Sequence, residues 1–163
     1  MHGSNALLYR SVLMADPQAI SPGVGLPVAM EDGALLALAD PGLDCRVVVL
    51  GPGGLELTCA MIRQGYAEVT MARPCERPRA READVVLVPQ AVTAEALYRA
   101  AAFARVALAP LGTVVIRLAA EVSAPHAVQQ LKKHGFTAVR SRTEGAEVLL
   151  RAELPMFGQL ACA

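Results

Sequence analysis

One stretch limits the fold more than any other. Cys45 to Leu50 is a continuous run rich in β-branched residues, with no polar alternation. Such a run reads as a strand covered on both sides. Gly51-Pro52-Gly53-Gly54 then turns the chain sharply. A helix follows from about Leu55 to Gln64, closed by Gly65, and Ala67 to Ala72 is extended again. Strand, glycine-rich turn, helix and strand fit within 30 residues. That compact order is the mark of a right-handed crossover between parallel strands.

The same periodicity argument places the other elements. Asn5 can cap a helix over Ala6 to Ala15, ended by Asp16-Pro17, and Ile20 to Pro27 reads as a loop. A second helix runs from about Val28 to Ala39 and stops at Asp40-Pro41-Gly42. Asp84 to Val88 is a third apolar strand. Thr93 caps a helix to about Val106, Ala109-Pro110-Leu111-Gly112 breaks the chain, and Thr113 to Leu118 is a fourth strand. Ser123 caps a helix through His134, with Pro125 in its first turn and Gly135 closing it. Phe136 to Arg140 and Glu147 to Glu153 are strands whose connection is too short for a crossover helix, so they pair antiparallel.

Composition narrows the function. Lys plus Arg and Asp plus Glu both number 15, so no net field favours nucleic acid. Aromatic residues make up 4%, with no Trp, which argues against a platform for stacked bases. The hydrophobic share of 54% excludes disorder, and the 163 residues read as a single domain: an N-terminal extension over 1–43 and a core over 44–155. The run Ala100 to Leu118 holds Arg105, Pro110, Gly112 and Arg117 and does not fit a membrane span; Arg10 interrupts the signal-like run at the N-terminus. Cys45, Cys59, Cys75 and Cys162 have no metal-site spacing to each other or to His2, His126 and His134, so no metal is expected. They read as buried small side chains in a reducing cytoplasm.

With these elements in order, three stretches carry a resemblance. Val47 to Glu56 (VVVLGPGGLE), Ala83 to Leu118, and Leu131 to Leu154 with its closing hairpin are similar, in sequence and in order, to the blocks of the class I S-adenosylmethionine-dependent methyltransferases. The resemblance implies an α/β, Rossmann-like fold: a mostly parallel six-stranded sheet, helices on both faces, and a C-terminal antiparallel hairpin. It implies S-adenosylmethionine as cofactor, held by Gly51, Pro52, Gly53 and Gly54 at a helix N-terminus, with Arg73 and Gln90 at the ends of the next strands. Glycines there let backbone N–H groups approach a ligand closely.

The chain departs from the family pattern on the nucleoside side. The second strand of such proteins ends in a carboxylate that takes both ribose hydroxyls, and here it ends in Arg73. A guanidinium only donates, so that contact is lost. Losing it costs about 1.5–3 kcal/mol, roughly tenfold to a hundredfold in affinity. The family also places a helix and a strand before the central block. Only the ten residues Pro74 to Ala83 stand there. Extended, they reach at most ~33–36 Å, against the roughly 20 Å a direct crossing needs. The crossing is therefore feasible and leaves the second strand as an unprotected edge, with one sheet face short of a helix.

The expectation is a degenerate, non-catalytic methyltransferase-like domain acting as a homo-oligomer or with a protein partner in the cytoplasm. The alternative is an active methyltransferase with a rebuilt adenine pocket. A third reading has Arg73 grip the 2′-phosphate of a nicotinamide dinucleotide. Arg73, Arg77, Arg79 and Arg81 form the one charge cluster, which Glu76 and Glu82 make a solvated loop.

Overall fold

The structure is a computed structural model that describes residues 30–73 and 75–156; the helix expected over 6–15, the loop over 20–27 and Cys162 lie outside them. The elements are α1 (Met30–Ala39), β1 (Arg46–Leu50), α2 (Gly54–Arg63), β2 (Glu68–Ala72), β3 (Ala83–Ala91), α3 (Ala94–Ala107), β4 (Leu108–Leu118), α4 (Ala124–Lys133), β5 (Thr137–Glu144) and β6 (Glu147–Glu153). The six strands form one sheet in the order β2-β1-β3-β4-β6-β5. It is a mixed sheet. β2, β1, β3 and β4 are parallel, and β6 runs antiparallel to both β4 and β5.

Local chemistry sets most element ends. Gly65 and Gly135 follow α2 and α4 with φ of 91° and 84°, a left-handed conformation that costs a glycine little. The Thr93 hydroxyl accepts the Ala96 N–H at 3.1 Å and starts α3. Ser123 occupies the same position before α4, but its side chain makes no capping bond. Pro125 in the first turn supplies the helical φ there instead.

Three strands outrun their sequence signal. β3 continues through Pro89 and Gln90 to Ala91, which pairs with Leu118, because an irregularity after Val88 absorbs the proline. β4 starts at Leu108, inside what reads as a break. Leu111 takes a φ of 66°, and the Leu111 N–H and the Gly112 carbonyl both bond Leu154 across the gap. β5 reaches Glu144, so that Gly145-Ala146 alone turns the hairpin.

Alternate residues of the central strands enter two packed clusters. Val47, Val49, Val85, Leu87 and Val115 pack with Leu35 of α1 and with Leu57 and Met61 of α2. Val86, Val88, Val114 and Ile116 pack with Leu97 and Ala101 of α3 and Leu131 of α4. Strand side chains alternate in direction, which is why one run of apolar residues feeds both clusters.

The two outer strands differ. β5 carries Arg140 and Arg142, an irregular register between Thr137 and Arg140, and a left-handed Ala138 at φ 48°. β2 pairs with β1 without a break from Glu68 to Ala72 and has neither Pro nor Lys.

Arg117 of β4 is buried at 7% exposure. Its guanidinium lies 3.2 Å from the Glu147 carboxylate of β6 and 3.6 Å from Asp32 of α1. Arg46 and Asp84, at the starts of β1 and β3, form a two-pronged pair with contacts of 2.7 and 3.1 Å, and the Arg46 N–H adds a third bond of 3.0 Å. That hydrogen bonding holds the Asp84 carboxyl below the ordinary aspartate value. Cys75 is exposed, and Cys45 and Cys59 are half-buried, so the expected burial of the cysteines fails in this fold. Cys45 stands just before β1 and packs at the rim of a core cluster, Cys59 lies on α2, and Cys75 lies in the crossing.

His134 closes α4 against α3. Its ring meets Tyr98 edge-on at 5.0 Å, and Arg105 donates to its carbonyl at 2.8 Å. Burial first, and the nearby Arg105 charge second, lower its pKa from the ordinary 6.5. The unfolded chain then takes up a proton that the folded chain refuses. Stability is therefore complete above about pH 6.5 and falls as the pH drops from there through the lower folded value. Denaturant unfolding from pH 7.5 to 5 checks this, and His134→Gln is expected to flatten that part of the profile.

Candidate functional site

β1 pairs with β3 only as far as Val49 and Leu87. Beyond that point β1 enters its glycine turn, while β3 stays beside β4 to Ala91. The chain leaves β1 for β2 on one side and β3 for β4 on the other. The carboxyl ends of β1 and β3 thus form a topological switch point, where parallel α/β sheets open a crevice.

The six residues singled out in the sequence all stand at this end of the sheet. Gly51 and Gly53 have φ of 96° and 74°, and Gly54 opens α2. The Gly54 N–H bonds the Gly51 carbonyl at 3.2 Å, and the Gly53 carbonyl accepts the Leu57 N–H at 3.4 Å. A side chain on Gly51 would meet nothing within 4 Å, so the space above it is open. One on Gly53 would stand 3.5 Å from Pro89, and one on Gly54 3.3 Å from Val49. Gly54 is thus buried on protein, while Gly51 has open space above it and Gly53 is exposed beside Pro89. Pro52 and Gln90 are exposed. Leu50 pairs with Ala72, so Gly51 and Arg73 are the next residues of neighbouring strands.

Sequence reasoning missed Glu76. Its carboxylate accepts the Arg73 N–H at 3.1 Å, which brings an acid back to the end of β2. The three-residue spacing from Arg73 to Glu76 was the available signal, hidden among the arginines. Glu121 and His126 are exposed, and His126 approaches only Gln130, at 3.3 Å. Among the described residues, no three His, Cys, Asp or Glu side chains stand together as a metal would need.

The short crossing from β2 to β3 has a visible consequence. A cleft of about 600 Å³ opens along β1 and β2 beneath it, with Val48 and Ala72 on its floor, Phe103 and Ala107 of α3 as one wall, and Arg77 and Arg79 of the crossing on its rim. It lies where a helix would cover the sheet if the connection were longer. Among the described residues no helix is long and apolar enough to cross a membrane.

No family model matches the sequence, and no curated protein matches it closely enough to count. Solved structures do match. The 1,6-didemethyltoxoflavin-N1-methyltransferase of Burkholderia thailandensis superposes with a TM-score of 0.62 at 15% identity, over 78% of this chain and 78% of that one. An O-methyltransferase family protein from the same organism gives 0.58 at 13%, over 78% of this chain and 57% of that one, so the chain spans little more than half its length. The complex between the Trm112 methyltransferase activator and the putative methyltransferase of Haloferax volcanii gives 0.57 at 11%, over 78% and 94%.

The chain has the fold of the class I S-adenosylmethionine-dependent methyltransferases. A glycine turn follows β1, and among the described residues no strand pairs outside β2. The residues fit S-adenosylmethionine in part only. The open space above Gly51 suits the amino-acid side of the donor. A donor lying over the turn would find Arg73 at the end of β2, with the nearby Glu76 carboxylate already engaged by the Arg73 N–H.

Proposed function

We propose that this chain is a single methyltransferase-like domain that has given up turnover and works in the cytoplasm as a partner-binding or oligomeric subunit. The observation that carries this reading is the ten-residue crossing from β2 to β3, which leaves β2 outermost with Arg73 at its end. The two packed clusters support helices on both faces of the sheet, with the area over β1 and β2 left as a cleft. The match to a complex containing a methyltransferase activator supports work with a protein partner. Calorimetric titration with S-adenosylmethionine tests the reading. No saturable heat is expected below about 100 μM, because the missing ribose contact weakens the donor tenfold to a hundredfold. A radiolabelled-donor assay is expected to show no transfer, and robust turnover would overturn the proposal.

Glu76 favours a second reading, an active methyltransferase with a rebuilt nucleoside pocket. Its carboxylate is the right group near the right strand end, held in a turn and not in the strand. Micromolar donor binding that Glu76→Gln weakens at least tenfold would support this reading over the first.

A further inference from the structure

We infer that two copies of this chain pair through their β2 strands, antiparallel and centred on Thr70, to make one continuous sheet. The inference names the partner for the subunit role proposed above and rests on that reading for its meaning, while its geometry stands apart from whether the donor binds.

Four observations converge on a second copy. First, β2 is an outer strand with one side of its backbone unpaired among the described residues. It lacks the proline, lysine and irregular register that protect such edges, and its single charge is Glu68. Second, the strand is complementary to itself. A two-fold axis through Thr70, normal to the sheet, sets Thr70 opposite Thr70, Glu68 opposite Ala72, and Val69 opposite Met71. Threonine and apolar pairs stabilise antiparallel strands, and no like charges face each other.

Third, apolar surface gathers beside this edge. Leu55 and Ile62 of α2 are 59% and 56% exposed, and Met71 of β2 is 39% exposed. Leu55 and Ile62 are seven apart, on one face of the helix. α2 descends over β1 and β2 in the right-handed sense of such crossovers, with Leu57 and Met61 turned to the sheet. Residues then follow clockwise from the helix N-terminus, which turns the Leu55 and Ile62 face, about 100° round, toward the free edge.

Fourth, the spacing closes. Each α2 lies over its own β1 and β2, so the two helices would stand two strand separations apart, about 9.6 Å. Helices pack at about 8–10 Å. The level also agrees. A Cβ on Gly54 would lie 3.6 Å from Met71, so the two residues are level. The midpoint between Leu55 and Ile62 falls roughly 7 Å further down, about two strand residues, at the level of Val69, one residue from the axis at Thr70. The same axis therefore sets Leu55 of one copy beside Ile62 of the other, an isologous contact.

Sedimentation velocity on the full chain reads the outcome. The wild type is expected at twice its 17.1 kDa mass. Thr70 is exposed, so Thr70→Lys and Thr70→Glu leave the fold intact, as thermal melts followed by circular dichroism would check. Each variant alone sets like charges across the axis and is expected to weaken the dimer at least about a hundredfold. Mixing the two sets Lys against Glu and is expected to restore a mixed dimer. Wild-type monomer at every concentration, or dimers unmoved by Thr70→Lys, would overturn the inference. A dimer that also transfers methyl groups would defeat the non-catalytic reading and leave this one standing.

Discussion

Arg117→Ala is expected to lower the stability of the fold by about 3 kcal/mol, read as a shift of the urea midpoint at constant slope. The side chain is buried and reaches carboxylates on two other elements, Asp32 of α1 and Glu147 of β6. Truncation leaves the mostly covered Asp32 facing a void where a cation stood, while the half-exposed Glu147 turns to water. The loss falls hardest on α1, which also packs through Leu35 and Ala39. Arg117→Lys is expected to recover only part of it. The charge returns, but the planar fork that spans two partners does not. Limited proteolysis should then cut before β1 in Arg117→Ala sooner than in the wild type.

A second large effect is expected at the switch point. Leu87 is fully buried in β3, opposite Val49, on the last rung shared by β1 and β3. Leu87→Ala is expected to cost about 3 kcal/mol, the sum of lost burial and the hole left under α1 and α2. Because the rung lies just before the glycine turn, the variant should also loosen the start of α2. Amide exchange at Leu57 and Thr58 should rise more than at Val114 and Ile116, which pack in the other cluster. A wild-type midpoint, or uniform loosening, would contradict this role.

Much of the sheet was legible because its central strands are buried on both sides. Val47 to Leu50 and Val85 to Val88 are unbroken apolar runs, and no competing helical period obscures them. Strand ends were less legible, for reasons visible at single residues. The strands read from the sequence stop at Val88 and begin at Thr113, yet the fold carries β3 past Pro89 by a local irregularity after Val88 and starts β4 before Pro110 with a kink at Leu111. Neither device has a local sequence signal, since both depend on which strand lies alongside. The site was half legible. Glycines in a strand-to-helix turn announce themselves. Glu76 does not, because its place at the end of β2 comes from a turn that doubles back on Arg73. The uncovered stretch of sheet was expected from counting residues, since ten cannot supply a helix and a strand; the cleft that fills it was not.

The contrast between the two borders of the sheet limits how large an assembly can grow. β5 is kinked at Ala138 and lined with Arg140 and Arg142, a border that repels an incoming strand. Of the two borders among the described residues, only β2 lacks such protection. A molecule with a single adhesive border is consumed once that border meets its twin, so growth ends at a pair and cannot run on into a fibril.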